Sequence, residues 1–184
     1  MDLKQHFELL AAYNQWMNEK IYTAAGRLGD DTLRQETGAF FGSILNTLNH
    51  IVVGDTIWLK RFAQHPASSE VLSDVTMLPT PAALDQTLFP ELAPLYNHRK
   101  WLDQKIIDWA SCLTEADLNC VISYRNTKGI TAQRVTSALI LHFFNHQTHH
   151  RGQVSTLLSQ AGEDIGVTDL LALIPETEYT GIVS

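Results

Sequence analysis

The chain has 184 residues, 45% of them hydrophobic, which is the size of one domain with enough apolar surface for its own core. A formal charge of -7 repels phosphate backbones and no run of Lys or Arg offsets it, which argues against nucleic acid as a partner. No stretch approaches the ~20 apolar residues of a membrane span, and MDLKQHFELL lacks the pattern of a signal peptide. Cys112 and Cys120 have the spacing of neither a CxxC pair nor a zinc knuckle, so the expectation is a soluble cytoplasmic protein with reduced thiols.

The first helix is predicted over residues 3–28. Leu3, Phe7, Leu10, Met17, Ile21, Ala24 and Leu28 recur at helical spacing, and Gly29 with the two aspartates after it ends the run. Asn14 falls on the same stripe, where an amide needs a partner inside the core. A second helix is predicted over 43–64 with Ser43 as cap. It is apolar on more than one face and so belongs deep in a bundle. Residues 65–79 read as a loop. Thr80 and Pro81 then form a helix start, followed by a break near Pro90 and a longer helix to about Cys112.

Residues 120–131, CVISYRNTKGIT, combine strand formers with turn chemistry and predict a small hairpin or extended connection. The last long helix is predicted over 132–161 with Gly162 as its stop, and a short helix around TDLLAL. No internal repeat is apparent. The fold class is therefore all-α: a single domain over 1–184, built as a four-helix bundle, with a long link between the second and third helices that permits a crossover.

Four of the eight histidines fall in LHFFNHQTHHRGQVSTLL: His142, His146, His149 and His150. At ~100° per residue, Leu139, Phe143, His146, His150, Gln153 and Leu157 share a sector of roughly 80°. His146 and His150 thus occupy positions where leucine is the ordinary choice. Their spacing lets two imidazoles converge on one ion. His142 with His146 is the second pairing, while His149 points away. A third ligand must come from another helix, and His50, mid-helix among apolar neighbours, is the natural choice; a hydrogen-bonded core histidine is the competing explanation. His6, His65 and His98 are expected to be solvated.

Asp55 lies on the buried stripe of the second helix, to pair with an arginine, cap a helix or act as a base. Arg151 points off the core stripe, toward a surface or dimer ion pair. Trp16 and Trp58 belong to core packing or a pocket mouth. The motif is HQTHH rather than HExxH, so the glutamate base of the common zinc metalloproteases is missing, and no Glu-x-x-His pair signals a di-iron site.

Taken together, YNQWMNEKIY, FGSILNTLNHIVVGDTIWLKRF and NHQTHHRGQVSTLLSQAG resemble the DinB/YfiT-like superfamily of metalloenzymes over nearly the whole chain. The resemblance implies a four-helix bundle with a crossover, a homodimer, and a divalent metal held by one histidine on the second helix and an HxxxH pair on the fourth. On this sequence those are His50, His146 and His150, with Asn14, Gln153 and His142 as supporting residues. Zinc, nickel or iron suits three imidazoles. Three protein ligands leave coordination positions open, as in catalytic sites. The resemblance implies a metal-dependent S-transferase, isomerase or hydrolase acting on a small molecule, such as a low-molecular-weight thiol. A non-catalytic, stress-related metal or ligand binder is the alternative.

Overall fold

A reciprocal cap opens the first helix: the Asp2 carboxylate accepts from the Gln5 N–H, and the Gln5 side chain accepts from the Asp2 N–H. The computed structural model describes residues 1–126 and 129–176. Its long helices are α1 (Leu3–Ala25), α3 (Ile44–Phe62), α6 (Leu92–Cys112) and α8 (Thr136–Gln160). Between them lie the short helices α2 (Asp30–Arg34), α4 (Pro66–Ser69), α5 (Ser73–Thr76) and α7 (Glu115–Asn119). A two-stranded antiparallel hairpin, β1 (Val121–Arg125) with β2 (Thr131–Val135), precedes α8, and a 3₁₀ turn spans Leu170–Leu173.

Side-chain pairs give the direction of each helix. Phe7 meets Phe144 and Asn14 meets Arg151, so α1 and α8 run parallel. Asn14 and Asn18 bind Asp103 while Tyr22 stacks on Tyr96, so α1 and α6 run antiparallel. His50 lies by His150 and Phe62 by Phe143, which sets α3 antiparallel to α8. The bundle is therefore up, down, down, up. The link from α3 to α6 must return along the molecule, which is the expected crossover. Phe62, Trp109 and Phe143 pack at one end, with Trp109 stacked on Phe62 at 4.7 Å and its Nε1 donating to Ser68 Oγ at 2.9 Å.

The local expectations differ from the structure in several places. The first helix ends at Ala25, three residues short of Leu28. The segment 65–79 is not a plain loop: α4 and α5 form there, and Ser68, Leu72 and Val75 are buried against the bundle. Residues 80–90 are not helical despite Thr80-Pro81. Their backbone groups are instead used by side chains. Asn49 on α3 donates to the Phe89 carbonyl at 3.0 Å and accepts from the Phe89 N–H at 2.9 Å. Gln86 accepts from the Ala82 N–H, and just before the segment Lys60 donates to the Leu78 carbonyl. A backbone held this way has no need of helix-internal bonds.

The hairpin extends further than expected, through Val135, so α8 begins at Thr136 rather than Ala132. The pairing of residues 131–135 with 121–125 satisfies groups that a longer helix would have satisfied itself. At the other end α8 stops as expected, with Gly162 at φ 87°.

The four long helices share one buried polar network. Arg99 on α6 donates to Asp55 on α3 and lies 3.0 Å from Asp103. Asp103 accepts from Asn14 and Asn18 on α1, each at 2.9 Å. On α8, Gln147 donates to Asp55 at 2.7 Å and Arg151 donates to Asn14. Asn14 has its inside partner, as its place on the stripe required. Arg151 corrects the sequence reading: it is buried, not at a surface ion pair, and its guanidinium sits over the Tyr13 ring. Burial lowers its pKa to about 10, so it remains charged at neutral pH.

His98 is a second correction. Its ring is half-buried rather than fully solvated, packed against Phe89 at 4.9 Å and Trp101 at 5.3 Å. Burial, with the Arg99 charge adding to it, lowers its pKa to about 4 from an ordinary value of 6.5. The unfolded chain therefore takes up this proton first, and stability falls as pH drops from about 6.5 toward about 4. Replacing His98 with Phe should make that acid limb shallower in urea titrations across the range, with little effect at pH 8.

Arg99→Met should cost about 3–5 kcal/mol in urea unfolding, because Asp55 and Asp103 stay buried without their cation. A loss under about 1 kcal/mol would show that the network contributes little.

Candidate metal centre

His50 projects from the middle of α3, 4% exposed, and meets two rings one helical turn apart on α8. Its Nε2 lies 3.1 Å from His146 Nε2 and 3.2 Å from His150 Nε2. Among the described residues, this trio is the group of His, Cys, Asp and Glu whose ligand atoms cluster tightly enough to hold a metal ion.

Hydrogen bonds on the far side of two rings decide what faces the centre. His50 Nδ1 lies 2.7 Å from the Leu84 carbonyl, and His150 Nδ1 lies 2.7 Å from Gln153 Oε1. Both partners only accept, so each Nδ1 carries the proton and donates. The Nε2 atoms of His50 and His150 then present lone pairs to each other at 3.2 Å. Two lone pairs at that distance repel unless a cation lies between them. Metal–nitrogen bonds of ~2.0–2.1 Å place two ligand nitrogens roughly 2.8–3.0 Å apart at a right angle and roughly 3.3–3.4 Å apart at the tetrahedral angle. The observed spacings lie between these limits, so the donor set fits a divalent ion of this class.

Electrostatics favour the same state. Burial lowers the pKa of all three rings; for His146 it falls to about 3, with the neighbouring His150 and His50 adding to the effect. Neutral imidazole is the ligating form.

Gly54 makes room for His146. A Cβ on Gly54 would lie 2.7 Å from His146 Cε1, closer than packed carbons approach. Phe41 supplies an apolar wall: it stacks on His50 at 3.8 Å and meets His150 edge-on at 5.5 Å. Phe40, 86% exposed, stands edge-on to Phe41.

The supporting residues divide. Gln153 contacts His150, its Oε1 2.7 Å from Nδ1. His142 is exposed, 5.1 Å from the Trp58 ring and 6.3 Å from His146, beside the trio and outside it. Asn14 is a correction: its amide is engaged by Asp103 and Arg151 in the polar network, where both its oxygen and its nitrogen are occupied, and it orients no imidazole. Asp55 pairs with an arginine, as one sequence reading held. Its two oxygens accept from Arg99 and Gln147, which leaves it unsuited to the role of base. Trp58 lies at the edge of the site against His142, whereas Trp16 packs on Tyr13 and beneath Lys20.

Gly54, Phe41 and the Leu84 carbonyl were not anticipated. Gly54 did carry a signal, because glycine inside an otherwise strong helix asks for a packing reason. The Leu84 carbonyl carried none, since any residue supplies one.

No helix among the described residues is long and apolar enough to cross a membrane. The family model for the DinB family matches residues 1–179. Protein DinB of Bacillus subtilis (strain 168) is 28% identical over 160 residues, which covers 87% of this chain and 88% of that protein. The crystal structure of a DinB-like protein from Bacillus cereus ATCC 10987 superposes with a TM-score of 0.56 at 20% identity, over 90% of this chain and 94% of the other. That likeness concerns the fold. With its family match running from the first residue to within a few of the last, the chain belongs to the DinB family.

Proposed function

We propose that this protein is a metal-dependent enzyme that holds one divalent ion on His50, His146 and His150 and acts on a small molecule, in particular a low-molecular-weight thiol. The observation that carries this reading is the pair of oriented Nε2 lone pairs on His50 and His150, 3.2 Å apart. Zinc, nickel and iron(II) all suit the donor set. Such an ion, when bound, lowers the pKa of a coordinated thiol or water and so supplies a nucleophile near neutral pH.

The chain's own residues do the rest. Leu84 and Gln153 fix the ligand tautomers through their oxygens. Phe41 covers one side of the trio and keeps water from that face. S-transfer, isomerisation and hydrolysis are the reactions that this nucleophile supports. The competing reading is a non-catalytic, stress-related metal or ligand binder with a closed coordination shell. Three protein ligands favour the enzyme, because they leave positions for substrate. A homodimer, implied by the family resemblance, belongs to the same proposal.

Metal analysis of the purified protein tests the centre. The wild type should carry about one equivalent of divalent metal per chain, and His50→Ala and His146→Ala should each lose it while remaining folded. Full stoichiometry in both variants would refute the assignment.

Gly54→Ala separates ligand seating from folding. Alanine is the better helix former by roughly 1 kcal/mol, so helicity should be kept or raised. The added methyl displaces His146, so metal affinity should fall by roughly 10–100-fold in a chelator competition, as when a supporting contact of a metal ligand is lost. Unchanged affinity would show that the ring position is not needed.

A further inference from the structure

A cavity of about 420 Å³ opens on the same face of α3 as His50. Ile57 and Arg61 line it, and at ~100° per residue both fall within roughly 20° of His50; Gln64, just past the end of α3, lines it too. Leu84 lines it as well, and the carbonyl of that residue binds His50 Nδ1. The cavity and the histidine trio therefore share a wall on both the helix and the facing segment. Along α3, Arg61 lies two turns beyond Gly54, against which His146 is seated, or roughly 10 Å at ~1.5 Å per residue.

The charge of this cavity opposes that of the protein. The chain carries 13 Lys and Arg against 20 Asp and Glu, yet Lys60, Arg61 and Arg125 line this space and, among the described residues, no carboxylate does. Among the described residues none of the three forms an ion pair with a carboxylate; the cations that do are Lys4, Arg27, Arg34, Arg99 and Lys105. Lys60 is anchored to the Thr76 and Leu78 carbonyls. Arg61 is half-buried and packs against two neighbouring rings, 4.6 Å from Trp58 and 5.0 Å from Tyr124. A guanidinium packed against two rings has fewer orientations open to it, so less entropy is lost when its fork of donors binds. Lone surface cations are ordinary; a fixed, partly desolvated one beside two more, without an acid, is a site waiting for an anion.

We propose that this cavity is an anion subsite, which selects elongated small molecules bearing a carboxylate or phosphate roughly 10 Å from the group that reacts at the histidine trio. Arg61 is the principal anchor, Arg125 the second, and Lys60 contributes charge from its fixed position. The inference rests on the trio being the reaction centre, and it adds the substrate class: an anionic, not a neutral or cationic, molecule.

Mercaptooctanoate and mercaptooctanol are matched probes, with a thiol at one end and either a carboxylate or a hydroxyl at the other. In calorimetric titration of the metal-loaded protein at low ionic strength, the carboxylate should bind at least about tenfold more tightly, as expected of charge-assisted hydrogen bonds. The preference should shrink to under about twofold in the Arg61→Gln/Arg125→Gln double variant and should weaken with added salt. Metal content and far-UV circular dichroism of the variant should match the wild type. Equal binding of the two probes to the wild type, or a preference that survives in the double variant, overturns the proposal. Octanoate, octyl phosphate and octanol on the metal-free protein form a separate arm. An anion preference there, lost in the double variant, supports the subsite even if the metal assignment fails, and the stronger of the two anions identifies the head group. No preference in that arm counts against the subsite whatever the metal content.

Discussion

The buried charge network is the constraint on which the placement of the three histidines depends. Asp55, Arg99, Asp103, Asn14, Gln147 and Arg151 come from all four long helices and meet in the interior. Apolar packing alone tolerates a helix that slides or turns by a fraction of a residue, because dispersion is weakly directional. Buried ions and amides do not tolerate it, since each lost partner leaves an unsatisfied group in a low dielectric. The network residues are also sequence neighbours of the site. Asp55 follows Gly54, Gln147 follows His146, and Arg151 follows His150. Fixing the first member of this set against the second brings the imidazoles within metal-ligand distance.

This arrangement divides the interior into two chemistries on adjacent helix faces. Residues one apart on a helix differ by ~100° in direction, so the faces that carry the network and the trio are distinct yet mechanically joined. The network side is closed, with carboxylates and guanidinium groups paired at or near zero exposure. The trio side is more open: His146 and His150 are partly exposed, with Phe41, Trp58 and His142 beside them. The aromatic wall by His50 and the cationic cavity two to three turns along α3 lie on that open side. A molecule placed along this face would meet the histidines at one end and guanidinium groups at the other.

The long helices were legible because their apolar spacing is strong and their ends are marked, as at Ser43 and Gly162. The connections were less so. Thr80-Pro81 is a sound helix start in isolation, yet Asn49 and His50 bind backbone groups of that segment from across the molecule, and a local reading has no access to that competition. Similarly, TAQRV pairs with VISYR instead of extending α8, because a strand's stability lies in its partner. Arg151 looked like a surface residue from the angle of its own helix; only the arrival of Asn14 from α1 makes that position an interior one.

By itself, the sequence determined the number of the long helices and the His146/His150 pair, since periodicity and motif spacing are local properties of the chain; His50 joined them through the family resemblance. Tertiary structure alone decided that the Nε2 atoms of His146 and His150 lie within 3.2 Å of His50 Nε2, which tautomers His50 and His150 adopt, that Gly54 seats His146, and that Lys60, Arg61 and Arg125 share a cavity. Each of these depends on groups far apart in the chain and on backbone atoms that any residue could supply. Distances of that kind are set by how helices lock together, not by which residues each helix contains.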